Sequence, residues 1–410
     1  MEKEHEIKTV VPALRFPEFR GMEGWRKSYI YEECPNSYSG GTPKTTEKIF
    51  YGGNIPFIRS AEIGKNKTEL YITQEGLNNS SAKMIQKGDL LIALYGANSG
   101  DIAIAKIDGA INQAILCLRA KENNLFIYYT LQKNKKNIVS KYLQGGQGNL
   151  SAEIIKSIVF YIPQKTEQQK IADCLSSLDD LIEATNRKIE ALKEHKRGLM
   201  QRLFPKEGKN VPELRFPEFQ GTKEWEKKKL EEIGNFIGGG TPNTNNPEYW
   251  DGEILWYTPT EIKNARLKSS NRKITEQGLR NSSAKLLPKG AILITTRATI
   301  GDVAISEKEC TTNQGFQSLV VKDSEVNSFW FYWIIQHKEE LNKRASGSTF
   351  KEIGKNEIIN ITAYSTKKQE QQKIADCLSS LDELIEATSQ KVEILKEHKK
   401  GLMQQLFPKI

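Results

Sequence analysis

The chain has 410 residues, enough for two or three domains with real cores, and its 60 Lys and Arg against 51 Asp and Glu give a formal charge of +9 that suggests a polyanionic partner. No apolar run approaches the ~18 residues that cross a bilayer, and the opening MEKEHEIKTV is too charged for a signal peptide, so a cytoplasmic location is expected. Cys34, Cys117, Cys174, Cys310 and Cys377 lack metal-ligand spacing, which sets aside zinc and disulfide scaffolds.

After a polar tail, residues 11–19 read VPALRFPEF and lead to Gly24-Trp25; residues 211–219 read VPELRFPEF and lead to Glu224-Trp225. The chain therefore runs through one order twice. Gly40-Gly41-Thr42-Pro43 answers Gly239-Gly240-Thr241-Pro242, 76–83 (GLNNSSAK) answers 278–285 (GLRNSSAK), and 87–93 (KGDLLIA) answers 289–295 (KGAILIT). Further on, 100–105 (GDIAIA) answers 301–306 (GDVAIS), and Asn112-Gln113 answers Asn313-Gln314. Glycines and turn residues between short β-branched runs at 90–93, 102–105 and 292–296 predict strand-rich domains. Residues 126–131 and 329–335 are apolar and aromatic enough for one core helix in each half. Each variable segment is read as α+β, closing on a polar loop (144–149, QGGQGN; 346–349, SGST) and then a short strand.

A long helix follows each variable segment. Residues 167–179 (EQQKIADCLSSLD) recur letter for letter at 370–382, and LIEAT, LKEHK and LFPK return in step. In the first copy Ile171, Leu175, Leu178, Ile182, Ile189, Leu192, Leu199 and Leu203 step by four and three once Thr185 and Lys196 are counted. In the second the same stripe is Ile374, Leu378, Leu381, Ile385, Val392, Leu395, Leu402 and Leu406. Such a stripe is a coiled-coil seam, here roughly 55 Å long at about 1.5 Å per residue. Its polar interruptions fit register or partner specification. Two amphipathic helices in separate cores would be the alternative, but identity extends to the solvent faces as well.

A short linker at 204–210 (FPKEGKN) ties the second variable domain to the end of helix one, and that domain leads straight into helix two, so paired helices must be antiparallel. The expected division is a tail at 1–23, a first recognition domain at 24–163, helix one at 164–204, a linker at 205–223, a second recognition domain at 224–366 and helix two at 367–410. LFPK near the end of the sequence repeats the start of the linker, so the repeat is circular, as though the chain could run on into VPALRFPEF. Two similar, non-identical domains on a stiff spacer suit contact with two places on one long object, and the basic balance makes duplex DNA the leading one. A protein scaffold joined through the coiled coil is the second reading.

The duplicated EQQKIA…LIE…LK helix, each copy following a variable domain with GGTP, KG-(D/A)-(I/L)-L-I and NQ landmarks, resembles the specificity (S) subunit of type I restriction-modification enzymes. The resemblance covers nearly the whole chain. It implies an α+β protein with two tandem target-recognition domains separated by two long antiparallel coiled-coil helices in a pseudo-two-fold circular repeat. It also implies that each domain reads one half of a split sequence in double-stranded DNA, that the helices set the unread gap, and that they dock two modification subunits. Restriction subunits would join through those. S-adenosylmethionine, ATP and Mg would be used by the partners, with no cofactor or metal in this chain. In keeping with a non-catalytic role, the chain lacks a Gly-x4-Gly-Lys-(Ser/Thr) loop and any Pro-Pro of an adenine methyltransferase signature.

Positions shared between the halves are expected to be scaffold, and divergent positions inside matched loops to be readers. Phe57-Ile58-Arg59-Ser60 stands against Trp256-Tyr257-Thr258-Pro259, and Tyr95-Gly96-Ala97-Asn98-Ser99 against Arg297-Ala298-Thr299-Ile300. Arg to guanine and Asn or Gln to adenine are the bidentate pairings, so Arg59, Asn98 and Arg297 lead, joined by Ser60, Tyr95, Ser99, Tyr257, Thr258 and Thr299. Gln147, Asn149, Ser348 and Thr349 come from the loops before each helix. Lys44 is a candidate phosphate ligand, with Asn243 in the matching loop. By residue type alone either arginine also suits a phosphate or a surface ion pair. Tyr95 also suits packing, and the Thr-Pro and Asn-Gln pairs suit turns or backbone contact. None of the four histidines, His5, His195, His337 and His398, belongs to a catalytic constellation.

Overall fold

The structure, a computed structural model, describes residues 9–143, 150–347 and 351–409. It divides into two compact units, Met1–Asn186 with Gln390–Ile410, and Arg187–Ser389. Each boundary falls inside a long helix, so both units use parts of both.

In the first unit, strands Asn36–Ser39, Ile115–Arg119, Leu90–Ala93 and Ile102–Ile104 form an antiparallel sheet in that order. A second sheet runs Tyr71–Ile72, Tyr51–Ile58, Gly109–Ile111, Lys83–Ile85, with one parallel pair that sets Ile58 opposite Ile111. Leu90 to Ala93 are buried without alternation because both faces of their sheet are covered. Helix Asn124–Leu143 packs Phe126, Tyr129 and Leu131 into the same core as Leu90 and Ile92. Arg26–Tyr29 pairs antiparallel with Val159–Ile162 and so joins the beginning and end of the domain.

The second unit repeats the plan. One sheet runs Gly234–Gly238, Gln317–Val321, Ile292–Ile294, Val303–Ser306, Arg266–Leu267, and the other Arg272–Ile274, Trp250–Tyr257, Cys310–Thr312. Glu226–Lys229 pairs with Thr362–Ser365. The core helix expected at 329–335 is Asn327–Gln336; a further helix, Lys338–Arg344, follows directly after His337, whose ring stacks on Trp333 at 4.0 Å. Short helices Ala152–Lys156 and Lys355–Ile359, not anticipated, precede the closing strands.

The long helices are Lys165–Leu203 and Lys368–Leu406. Along the first, Ile171, Leu175, Thr185, Ile189 and Leu203 are buried and Leu178, Ile182, Leu192, Lys196 and Leu199 half-buried, which is the four-three stripe. Within the first unit, Ile171 and Leu175 share a core with Leu406 and Phe407, while Asp179 meets Lys399 at 2.5 Å, so the two segments run antiparallel. Within the second, Ile374 and Leu378 share a core with Leu203 and Phe204, and Asp382 meets Lys196 at 2.5 Å. The polar interruptions of the seam thus have partners. Thr185 and Thr388 return their hydroxyls to their own helix at Leu181 and Leu384, both 2.6 Å.

The repeated LRFPEF phrase has a physical reason. Arg15 places two nitrogens on Glu167 (2.8 and 2.7 Å), the first acid of EQQK, with side-chain exposures of 6% and 1%. Arg215 does the same with Glu370. Leu14 N–H donates to the Gln405 carbonyl as Leu214 N–H donates to that of Arg202, both at 2.9 Å. Trp25, Phe126 and Phe407 form one aromatic cluster and Trp225, Phe329 and Phe204 its counterpart. Among the described residues no helix is long and apolar enough to cross a membrane, and no group of His, Cys, Asp and Glu could hold a metal ion.

Candidate nucleic-acid interface

Backbone hydrogen bonds draw five segments of the first unit together. Leu94, at the base of loop 95–99, donates its N–H to the Ala114 carbonyl (2.8 Å) and accepts from the Leu150 N–H (3.0 Å). Gly40 N–H donates to the Asn112 carbonyl (3.2 Å), and the strand ending at Ile58 lies against Ile111 and delivers Arg59. The second unit repeats the joints. Thr296 N–H donates to Gly315 (2.8 Å), Ile353 N–H to Thr296 (3.1 Å), Gly240 N–H to Thr312 (2.8 Å) and Asn313 N–H to Tyr257 (3.0 Å).

On this shared frame the expected readers differ. Arg59 is exposed over nearly half its side chain, and its guanidinium is divided between buried Glu62 (3.1 Å) and exposed Glu69 (2.6 Å). Burial would raise the Glu62 carboxyl, but hydrogen bonds from Arg59, Thr68 and the backbone of Glu69 and Arg59 hold it down at about 2. Ser60 opens the single turn that follows. At the matching place Thr258 gives both its N–H and its hydroxyl to Glu261 (2.8 and 2.9 Å). Each unit therefore sets a divergent side chain on an equivalent carboxylate, Glu62 in one and Glu261 in the other.

Loop 95–99 presents Tyr95, 38% exposed. Asn98 donates to Asp101 (3.1 Å) and Ser99 to the Leu94 carbonyl (2.8 Å), so both are partly engaged by their own loop. In the second unit Arg297 and Thr299 are exposed, and Arg297 pairs with Glu352 at 2.8 Å. Ala298 there has φ 58°, where the first unit has Gly96 at φ 83°. A left-handed alanine stores strain of about 1 kcal/mol or more in the loop carrying Arg297. Lys44 and Asn243 are exposed in the two GGTP loops; the Asn243 side chain accepts from the Asn245 N–H at 3.0 Å.

Tyr257 requires correction. It was expected among the readers, but it is fully buried between the sheets of the second unit, and its hydroxyl has no hydrogen-bond partner. Gln147, Asn149, Ser348 and Thr349 lie outside the described residues, although Leu150 and Ile353 tie the segments following them to the frame.

One pair is present in both units. Thr42 donates its hydroxyl to Gln113 Oε1 at 2.8 Å, and Thr241 to Gln314 Oε1 at 2.6 Å, both in exposed positions. Asn112 and Asn313 shape the turns that carry these glutamines by accepting from the N–H of Ala114 (3.1 Å) and Gly315 (2.9 Å). The loops lie so close that a Cβ on Gly40 would stand 1.7 Å from the Ile111 carbonyl oxygen and one on Gly239 2.0 Å from that of Asn313. By residue type these positions suit turns or backbone contact; their pairing across 71 and 73 positions of sequence has no local signal.

The type I restriction modification DNA specificity domain matches residues 22–194 and again 222–397. Over 181 residues the chain is 39% identical to the type I restriction enzyme MjaIX specificity subunit of Methanocaldococcus jannaschii, a match spanning 43% of this chain and 42% of that protein, less than half of each. The MjaVIII specificity subunit of the same organism is 24% identical over 344 residues, 79% of each chain. In fold, the crystal structure of a type I restriction-modification S subunit from M. genitalium matches with a TM-score of 0.63 at 18% identity, covering 98% of this chain and 100% of that one.

Proposed function

The chain belongs to the type I restriction-modification DNA specificity family, and from that premise we propose that it reads a bipartite site in double-stranded DNA. The domain at 24–163 reads one half and the domain at 224–366 the other. The long helices fix the unread gap and dock two modification subunits, through which restriction subunits join. Chemistry belongs to the partners, which would use S-adenosylmethionine, ATP and Mg; this chain is non-catalytic and works in the cytoplasm. The observation that carries the reading is the repeated five-segment frame with different side chains on it: Arg59 against Thr258, and Tyr95 against Arg297. A common frame with divergent ligands is what two half-sites of unlike sequence require. Lys44, Arg59, Ser60, Tyr95, Asn98 and Ser99 in one domain, and Asn243, Thr258, Arg297 and Thr299 in the other, are the proposed contacts.

The test is to co-express the chain with a type I modification subunit and map methylated adenines across a genome. A two-part motif with a constant gap is expected, and exchanging residues 24–163 for those of a relative changes one half only. A complex that forms without a methylation pattern moves the protein to a scaffolding role.

A further inference from the structure

We propose that Gln113 and Gln314, each aimed by the threonine of its GGTP loop, are sequence-independent anchors that donate to DNA phosphates beside the two half-sites. The inference rests on the DNA-reading proposal above and extends it to two glutamines outside its contact set, choosing backbone contact over a turn-forming role.

Three observations lead to it. First, each threonine gives its only hydroxyl hydrogen to the glutamine Oε1, at 2.8 and 2.6 Å. This fixes the amide so that both N–H groups of Nε2 face away from the threonine, a donor pair suited to a phosphate oxygen. Oε1 keeps a second lone pair, so what separates a phosphate from an adenine edge is the sameness of the pair in both units, not the amide's orientation alone. Second, both glutamines are exposed, where a side-chain hydrogen bond does little for stability. Yet the backbone around them is closely specified: Gly40 and Gly239 leave no room for a Cβ, and Asn112 and Asn313 hold the turns. Third, the pair is the same in both units while its neighbours on the frame diverge: Lys44 against Asn243, Arg59 against Thr258, Tyr95 against Arg297. What stays the same between two half-sites of different sequence is the sugar-phosphate backbone, and glutamine is among its ordinary ligands.

The experiment uses the full chain in complex with its modification subunits and a duplex carrying the motif that the parent complex methylates. Four variants are compared: Gln113→Ala, Gln314→Ala, Gln113→Glu and Gln314→Glu. The glutamates keep the acceptor for the threonine and replace the donor with a negative charge. Each alanine variant is expected to bind about 3- to 10-fold more weakly, and each glutamate variant more weakly still. The methylated motif stays unchanged in all four, and in the alanine variants so does the dependence of affinity on salt, because replacing one neutral side chain by another releases no counterion. Alanine variants that bind like the parent overturn the proposal, as do glutamate variants no weaker than alanine or any altered base preference in either half-site. A parent complex that fails to bind DNA fails the reading above instead.

Discussion

Glu62 shows how a single carboxylate can organise a proposed reading position. It is 5% exposed and accepts from Arg59, Thr68 and two backbone N–H groups. Its folded pKa, about 2, lies below the ordinary glutamate value of 4.5. The stabilisation is therefore fully present above the unfolded value and is lost as the pH falls from there toward 2. The linked contribution is on the order of 3 kcal/mol. Acid denaturation of Glu62→Gln is expected to lose this part of its pH dependence while its midpoint at neutral pH falls; an unchanged acid profile in the variant would contradict the assignment. Tyr257, by contrast, shows what a single strand leaves illegible. Trp256 and Tyr257 are both buried because the strand end is covered on both faces, so the alternation that would have turned one of them outward is absent.

The elements were more legible than the residues. The four-three stripe over two long proline-free segments reads directly as paired helices, because periodicity is a property of many side chains at once. Strands were legible where β-branched runs sit between glycines, as at Leu90–Ala93. The short helices before the closing strands, only five residues each, carry too few positions to show a period. The lysines that interrupt the seam could be read as specifying something, but their partners come from distant sequence. Lys399 meets Asp179, which also accepts from Tyr129 Oη at 2.7 Å, and Lys399 lies 5.0 Å over the Tyr129 ring. Lys196, Asp382 and Tyr332 repeat the arrangement at 2.5, 2.7 and 4.9 Å. Each triad ties a helix of the α+β domain to both long-helix segments of its unit. Because Asp382 is less exposed than Asp179 (29% against 39%), Lys196→Met is expected to cost more than Lys399→Met, about 1–2 kcal/mol against about 1 or less. Thermal melts of the two variants check the order, and the reversed pair Asp179→Lys with Lys399→Asp should recover part of its loss.

At the scale of the molecule, each unit closes its core with the end of a long helix, but only one receives it from the far end of the sequence. Phe407 seats against Trp25 and Phe126 as Phe204 seats against Trp225 and Phe329. Phe407→Ala and Phe204→Ala should each cost about 3–5 kcal/mol. Limited proteolysis should then cut Phe407→Ala within residues 9–186 and Phe204→Ala within 187–389; cleavage in the opposite unit would show that the cores are not closed as described.

The same split sets an order of events during synthesis. Residues 187–389 form one uninterrupted unit, whereas 1–186 cannot complete theirs until 390–410 have been made. On a ribosome adding about 5–20 residues per second, the second unit has all of its chain while the first still lacks its closing helix segment, and the missing contacts span nearly the whole sequence, the slowest kind to form. The half translated first is thus expected to be the half finished last, with Trp25 and Phe126 uncovered by Phe407 until residues 390–410 are in place.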